Sequence, residues 1–317
     1  MKVAARKRDL LRVVDLSRPE CDALFGLAAE LKAALRSGKP PALLAGRTLG
    51  MIFEKPSLRT RISFETGMTQ LGGHAIYLAP ADIRLGLRET VPDIARTLTR
   101  VVDMIVARTF LHSVLVELAE HATVPVVNGL TDLHHPCQVL ADLFTLHERR
   151  LRLDDLRIAF VGDGNNVVHS WLEAATLYRF AFALACPPGY EPDGEILTRC
   201  RAAGATIEIT NDVAAAVRGA DVVYTDVWTS MGQEEEAAAR RREFAPYQVN
   251  EDVMRHAARS ALVMHCLPAH RGEEITAGVL EGPQSVVFDQ AENRLHLQKA
   301  LMAWLARESV RPGEGPR

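Results

Sequence analysis

The sequence predicts an α/β protein with two domains, each a parallel β-sheet flanked by helices. Its 317 residues allow two domains of roughly 150 residues each, and 48% of them are hydrophobic, which can fill two cores. Short apolar runs alternate along the chain with segments of helical periodicity. Because strands that are buried on both faces and separated by helices form parallel sheets, this alternation predicts the fold class.

The first half contains four predicted strands, at residues 48–54, 74–79, 104–107 and 124–127. After the first of them, Phe64, Met68 and Leu71 recur at helical spacing until Gly72 ends the pattern. Further helices are predicted at residues 92–101 and 113–121. This β-α-β order predicts a first domain that covers residues 1–147.

The second half repeats the rhythm, with strands predicted at residues 156–161, 205–209, 221–225, 261–265 and 285–288. A Leu- and Ala-rich helix at residues 138–149 is expected to connect the halves. A last helix, at about residues 295–307, is expected to pack back onto the first domain. The second domain is therefore predicted to cover residues 148–294, with about 295–317 joining the first.

Composition narrows the classes of partner. The formal net charge is only −3, so it predicts no general attraction to nucleic acid. The basic start of the chain is followed by Asp9 rather than an apolar signal core, and no run of about 18 apolar residues occurs, which predicts a cytoplasmic protein without a membrane span. Five widely spaced cysteines without a Cys-x-x-Cys pair predict reduced, mostly buried thiols.

Residues that directly follow the predicted strands are the candidate site, because ligands of open α/β sheets bind beyond the carboxyl ends of the strands. The first half places cationic and donor groups there, and the second half places amides, a carboxylate and a thiol. Ser57, Arg59, Thr60 and Arg61 stand at a predicted helix N-terminus, where free backbone N–H groups, hydroxyls and guanidiniums suit a phosphate. The sequence thus predicts an anion-binding wall and an amine-binding wall.

Other motifs leave alternatives open. Gly162 and Gly164 follow a strand as in a dinucleotide-binding turn, but the third glycine of Gly-x-Gly-x-x-Gly is replaced by Val167. This mismatch disfavours a nicotinamide-dependent oxidoreductase, which we keep as the alternative enzyme class. The segment 134–138 could be read as a metal site, although a neutral His135 that donates to a substrate carbonyl, with Gln138 one helical turn on, is the better functional interpretation. From this motif alone, a His135 with only a structural role remains an equal alternative.

The remaining signals also have structural interpretations. Cys266, at the end of a strand, could be an inert buried thiol. The charged run 234–242 is most simply a solvated helix in which Glu236 and Arg240 form an i,i+4 pair. The segment before it, 230–232, could form a mobile lid.

Four motifs together resemble the aspartate/ornithine carbamoyltransferase family. They are Ser-x-Arg-Thr-Arg at 57–61, His-Pro-Cys-Gln at 135–138, Asp-x-x-x-Ser-Met-Gly at 226–232 and His-Cys-Leu-Pro at 265–268. The first two are shared within the family, whereas the last two resemble its ornithine branch. The resemblance implies a carbamoyl phosphate domain followed by an ornithine domain, and a homotrimer.

The implied reaction transfers the carbamoyl group of carbamoyl phosphate to the δ-amine of L-ornithine, giving L-citrulline and phosphate as in arginine biosynthesis. It requires neither a metal nor an organic cofactor. By matching position, the expected carbamoyl phosphate contacts are Ser57, Leu58, Arg59, Thr60, Arg108, His135, Gln138 and Arg294. The expected ornithine contacts are Asn166, Asp226, Ser230, Met231, Cys266 and Leu267.

The catalytic residues implied are Arg108, His135, Asp226 and Cys266, with the first two stabilising the oxyanion and the last two assisting deprotonation of the amine. Two departures from the family pattern occur, at Leu58 and Ala81; neither removes a charge. Putrescine, acetylornithine or aspartate as the amine, and a catalytically silent regulatory paralogue, remain the alternatives within this resemblance.

Overall fold

The computed structural model describes residues 7–83, 85, 88–229 and 234–309. The chain forms two compact units. Unit 1 contains Met1–Phe144 and Asn293–Arg317, and unit 2 contains Thr145–Glu292. Among the described residues, no helix combines the length and the apolar character needed to cross a bilayer.

Unit 1 is built on a four-stranded parallel sheet with the strand order β2-β1-β3-β4. Its strands are β1 (Thr48–Phe53), β2 (His74–Leu78), β3 (Met104–Arg108) and β4 (Val126–Leu130). Its helices are α1 (Arg18–Arg36), α2 (Leu58–Gln70), α3 (Pro80–Ile83), α4 (Val91–Leu98) and α5 (His112–His121). A 3₁₀ turn, Val13–Asp15, precedes α1.

The core of unit 1 forms where helix faces cover the sheet. Ile52 of β1 and Ile105 of β3 are fully buried, as are Leu115 and Leu118 of α5, which stand three residues apart on one helix face. Full burial of such a side chain contributes roughly 1.5–3 kcal/mol. Because every residue of β3 is buried, this strand is covered on both faces, as the uninterrupted apolar sequence of residues 104–107 predicts.

Unit 2 is built on a five-stranded parallel sheet with the order β7-β6-β5-β8-β9. Its strands are β5 (Arg157–Val161), β6 (Ala181–Ala185), β7 (Thr206–Thr210), β8 (Val222–Thr225) and β9 (Leu262–His265). Its helices are α7 (Asn166–Tyr178), α8 (Gly194–Ala202), α9 (Val213–Val217), α10 (Ala237–Phe244), α11 (Glu251–Met254) and α12 (Ala277–Leu280). Three 3₁₀ turns complete it, at Leu153–Asp155, Glu234–Glu236 and Ala245–Tyr247.

Two further helices run across the unit boundaries in sequence, α6 (Pro136–Glu148) and α13 (Val287–Glu308). The apolar core of unit 2 includes Val161, Val223 and Val263, one from each of the three adjacent strands β5, β8 and β9. These three strands therefore share a buried layer that fixes where their carboxyl ends lie.

Eight of the nine predicted strands occur, within three residues at either end, and both sheets are parallel as predicted. The ninth, at 285–288, was wrong. Ser285 forms a single bridge to Val263, and α13 begins at Val287. Val286 and Val287 are both buried while Phe288 is 65% exposed, a pattern that suits the first turn of a helix rather than the alternation of a strand.

The sequence prediction also missed β6, whose residues Ala181–Ala185 include three alanines. Alanine is depleted in strands, so the segment carries a weak strand signal despite its full set of hydrogen-bonded neighbours on both sides. The cysteine prediction was confirmed: the five thiols are free, and four of them are buried, with Cys266 partly exposed.

Candidate active site

The carboxyl ends of β1, β3 and β4 lie side by side in unit 1, because these strands are neighbours in the sheet. The segments that follow them carry the predicted anion-binding residues. Ser57 is the N-cap of α2, and its Oγ accepts a hydrogen bond from the backbone N–H of Thr60 at 3.3 Å. The positive end of the α2 dipole therefore lies at this edge of the sheet.

Three guanidinium groups act on His135, which immediately precedes α6. Burial lowers the pKa of His135 well below its usual 6.5, and the charges of Arg294, Arg108 and Arg59 lower it further, in that order. His135, Arg108 and Arg294 are all at most 5% exposed. A cationic cluster therefore surrounds an imidazole that is neutral near pH 7.

Arg294 is held in place by side chains from two other segments of unit 1. Its Nη2 donates to Thr60 Oγ1 at 3.1 Å, and its Nη1 donates to Gln138 Oε1. Gln138 Nε2 in turn donates to Asp142 Oδ1 at 2.8 Å. This network fixes which atoms of Gln138 accept and which donate, and it places Arg294 with the first-half residues although it lies late in the sequence.

Two residues of the phosphate motif point elsewhere. Arg61 pairs with Glu65 at 3.0 Å and stacks over Tyr77. Leu58 is 74% exposed. The guanidiniums that act on the charge of His135 are those of Arg294, Arg108 and Arg59, and their positive charge suits a phosphate.

In unit 2, the turn after β5 is shaped by two glycines. Gly162 adopts φ +143°, which favours glycine, and a Cβ on Gly164 would lie only 2.4 Å from the backbone nitrogen of Pro192. The neighbouring Asn165 is the N-cap of α7, and its Oδ1 accepts from Val167 N at 3.0 Å and Val168 N at 3.2 Å. Turn geometry and close packing thus account for the glycines without a dinucleotide.

Asp226 directly follows β8 and is 7% exposed. Its Oδ1 accepts from Cys266 Sγ at 2.7 Å and from Val227 N at 2.8 Å. Its Oδ2 accepts from Asn165 Nδ2 at 3.1 Å. Since β5, β8 and β9 are neighbours in the sheet, three separate segments bring a carboxylate, a thiol and an amide together as the sequence analysis expects of an amine-binding wall.

The segment after β9 has an unusual backbone. Leu267 adopts φ +56°, a left-handed conformation that non-glycine residues rarely take, and its N–H donates to His265 Nδ1 at 2.8 Å. Because Nδ1 accepts that bond, the His265 proton resides on Nε2, which lies 3.0 Å from Glu274 Oε1. A buried His-Glu pair therefore supports the segment that presents Cys266 and Leu267.

Sequence models of two domains match this chain. The carbamoyl-P binding domain of aspartate/ornithine carbamoyltransferase matches residues 8–148, and its Asp/Orn binding domain matches residues 154–305. The chain belongs to the aspartate/ornithine carbamoyltransferase family. The resemblance drawn from the four motifs is confirmed by matches that cover nearly the whole chain.

Relatives and solved structures agree. The ornithine carbamoyltransferase of Syntrophus aciditrophicus is 54% identical over 297 residues, which are 93% of this chain and 98% of the relative. The solved structure of the Pyrococcus furiosus ornithine carbamoyltransferase has a TM-score of 0.89 at 49% identity, covering 95% of this chain and 98% of that one. The anabolic enzyme from Campylobacter jejuni has a TM-score of 0.88 at 38% identity, covering 94% and 98%.

This carbamoyltransferase fold brings together two groups of possible metal ligands among the described residues. One is Asp226, His265 and Cys266, and the other is His270, Glu273 and Glu274. In the first group, both ring nitrogens of His265 are committed, one to Leu267 N and the other to Glu274. The imidazole is therefore held as a structural support. The segment 134–138, considered above as a possible metal site and disfavoured, contributes to neither group, and burial raises the pKa of Cys137 to about 12.

Sequence reasoning missed two residues of this carbamoyltransferase site region. Asn165 Nδ2 donates to Asp226 Oδ2, a contact that the sequence analysis did not name. Arg240 was expected to lie on a solvated helix, but it is only 3% exposed. It pairs with Glu236 at 3.4 Å as expected. It also donates hydrogen bonds to Trp228 O, at 2.6 Å, and to Asp163. Burial raises the pKa of Asp163 to about 6, and Arg240 opposes that rise.

The Asn165 signal was available, because Asn before an apolar periodic run is an N-cap pattern. For Arg240 no local signal existed, since a charge within a charged run reads as solvated. The predicted ornithine contacts Ser230 and Met231, and the predicted lid around them, lie outside the described residues.

Proposed function

We propose that this protein catalyses the ornithine carbamoyltransferase reaction in arginine biosynthesis. The δ-nitrogen of L-ornithine forms a bond to the carbonyl carbon of carbamoyl phosphate, the bond from that carbon to the phosphate oxygen breaks, and the amine loses a proton, giving L-citrulline and phosphate. Family membership leaves aspartate and ornithine as the leading amines. The observation that carries the choice is the 2.7 Å contact between Cys266 Sγ and Asp226 Oδ1.

That contact favours a basic amine for an electrostatic reason. A carboxylate attracts an alkylammonium group and repels a second carboxylate, so Asp226 opposes aspartate as the substrate. An alkylamine has a pKa near about 10 and is not nucleophilic until it loses a proton. Asp226 and Cys266 assist that deprotonation, and Asn166, Ser230 and Met231 bind the α-amino and α-carboxylate groups. Leu267 lines the position of the δ-amine.

Carbamoyl phosphate binds in unit 1. Arg59, Arg108 and Arg294 neutralise the phosphate, which receives further donors from Ser57, Thr60 and the backbone at Leu58 at the N-terminus of α2. His135 and Gln138 contact the carbamoyl end. The lowered pKa of His135 supports its assignment to the carbamoyl end. A neutral imidazole can donate a hydrogen bond to the uncharged carbonyl group, while the three guanidiniums carry the positive charge that the phosphate needs.

The attack builds negative charge on the carbonyl oxygen. Arg108, His135 and Thr60 are the proposed donors to that oxyanion, and in comparable sites each well-aimed donor is worth roughly 3 kcal/mol. Arg59 and Arg108 also stabilise the departing phosphate. No metal or organic cofactor is required by these steps.

We further propose that residues 1–147 with the C-terminal helix, about 295–317, form the carbamoyl phosphate domain, and that residues 148–294 form the ornithine domain. A cytoplasmic homotrimer is the proposed assembly, without nucleic acid or membrane partners. Exposed apolar side chains in unit 1 support self-association: Leu58, Ile62 and Ile76 are 74%, 53% and 41% exposed. Light scattering coupled to gel filtration tests this, and a monomer would refute it.

The activity is tested by colorimetric citrulline formation from purified protein and carbamoyl phosphate. Ornithine should give the highest kcat/KM of four amines, which are ornithine, putrescine, acetylornithine and aspartate. Each amine is assayed through its own carbamoylated product. Faster turnover of another amine would reassign the substrate. Titration with NADH should leave its fluorescence unchanged; quenching, together with no carbamoyl transfer, would favour an oxidoreductase.

A further inference from the structure

Asn165 makes more hydrogen bonds than capping requires. Its Oδ1 accepts from two backbone N–H groups at the start of α7, at 3.0 and 3.2 Å. An N-cap needs only such an acceptor. Asp193 does the same at α8, where Oδ1 accepts from Glu195 N at 3.0 Å and Ile196 N at 2.9 Å. Capping alone therefore explains an oxygen at position 165 and leaves its amide nitrogen unexplained.

The amide nitrogen is directed at Asp226. Because two backbone donors hold Oδ1, the plane of the Asn165 amide is fixed, and Nδ2 donates to Asp226 Oδ2 at 3.1 Å. The other carboxylate oxygen accepts from Val227 N and Cys266 Sγ. Donors on both oxygens fix the rotation of the carboxylate. Of its roughly four acceptor positions, three are filled, which leaves about one for a substrate amine.

We propose that Asn165 is a positioning residue that orients the Asp226 carboxylate for the amine of the substrate, without contacting the substrate itself. This inference rests on the function proposed above. An aspartate at position 165 would cap α7 equally well but would place an acceptor against Oδ2. The asparagine is therefore explained by its donor, and its effect should appear in binding of the amine rather than of carbamoyl phosphate.

The test compares Asn165→Asp and Asn165→Ser with a matched control, Asn250→Asp. Both Asn165 variants keep an oxygen that can cap α7, and both lose the amide Nδ2 that donates to Asp226. Asn250 caps α11 in the same way, with Oδ1 accepting from Asp252 N at 3.1 Å and Val253 N at 3.0 Å. The Tm, the kcat and the KM for each substrate are measured for all four proteins.

Both Asn165 variants should raise the KM for ornithine at least tenfold while the KM for carbamoyl phosphate stays within twofold of wild type. Asn250→Asp should leave both KM values unchanged. If a folded Asn165→Ser protein keeps the wild-type KM for ornithine, or loses affinity for both substrates equally, the proposal is wrong. The serine variant serves if the aspartate variant does not fold.

A double-mutant cycle separates action through Asp226 from a general effect on the fold. In an Asp226→Asn background, Asn165→Ser should change the KM for ornithine by less than twofold; the full tenfold effect in that background would overturn the proposal. The wild-type rate with ornithine tests the proposed function separately. A crystal structure of Asn165→Ser should show a rotated Asp226 carboxylate whichever amine is the substrate, and an unmoved carboxylate would contradict the inference.

Discussion

The candidate site residues of unit 1 and those of unit 2 differ in their electrostatics. Unit 1 gathers Arg59, Arg108 and Arg294 around a buried neutral imidazole, and it holds Arg294 through neutral oxygens of Thr60 and Gln138. Unit 2 surrounds one carboxylate with an amide, a thiol and a backbone N–H. Charge is concentrated where the proposed ligand is a polyanion, and orientation is fixed where the ligand is a single ammonium group.

This difference leads us to expect that unit 1 mainly determines the affinity for carbamoyl phosphate and that unit 2 mainly determines the reactivity of the amine. If carbamoyl phosphate binds in unit 1 as proposed, the guanidinium charges provide most of its affinity, so removal of one of them should be costly for carbamoyl phosphate. In unit 2 direction matters, because a proton must leave the amine along a defined path. Substitutions in either unit should therefore separate the two substrates kinetically.

The largest effect is expected from Arg59→Ala. Loss of a guanidinium at the phosphate site should lower kcat/KM for carbamoyl phosphate by about 10³-fold, which corresponds to roughly 4 kcal/mol. It should also abolish protection by carbamoyl phosphate against thermal unfolding, measured by differential scanning fluorimetry. Arg96→Ala is the control, because Arg96 is exposed and pairs with Asp93 at 3.3 Å. Unchanged protection in the Arg59 variant would remove it from the phosphate site.

Asp226→Asn tests the candidate site residues of unit 2. The substitution keeps the size of the side chain but removes the charge, so kcat/KM for ornithine should fall about 10²-fold while thermal protection by carbamoyl phosphate is retained. Steady-state kinetics and fluorimetry on the same preparation measure both. Equal losses for the two substrates would break the proposed division between the units.

Cys266→Ala should have a smaller effect, about tenfold in kcat, because Asp226 keeps two other donors when the thiol is lost. Binding of carbamoyl phosphate should change less than turnover. Cys200→Ala is the matched control at a buried thiol of α8, and it should cost some stability but leave kcat unchanged. A Cys266 variant with wild-type kcat would exclude the thiol from the reaction.

The smallest expected effect concerns stability rather than rate. Because the folded-state pKa of His135 is lowered, the unfolded chain binds a proton more readily, and the free energy of unfolding should fall as the pH drops below about 6.5. His135 contributes up to about 1.4 kcal/mol per pH unit to this slope. Urea unfolding of wild type and His135→Gln between pH 5 and pH 7 measures the difference. Identical slopes would show that the imidazole is not held neutral.

Much of this arrangement could be predicted from the sequence, because the strands of a parallel sheet all end at the same edge. Once 48–53, 104–108 and 126–130 are strands, the residues after them share one edge, and the same holds for 157–161, 222–225 and 262–265. The motifs within each unit can therefore be placed at one edge of their sheet without any knowledge of side-chain packing. The roles assigned to individual site residues stay predictions.

The remainder depended on contacts that no local pattern encodes. Ala181–Ala185 became a strand because β5 and β7 pair with it on either side, not because of its own propensity. Arg240 is buried because Asp163 and the Trp228 carbonyl, distant in sequence, accept its hydrogen bonds. Residues 285–288 have the composition of a strand, but they form only an isolated bridge, between Ser285 and Val263, before α13 begins at Val287.

The close approach of Gly164 to the backbone of Pro192 limits which substitutions the chain can accept at position 164. Any side chain there would collide with the backbone around Pro192, and the turn would have to move together with its neighbour Asn165. If Asn165 orients Asp226 as proposed, a missense change at Gly164 would therefore raise the KM for the amine. Gly164 thereby couples the packing of a buried turn of unit 2 to the proposed site of the amine.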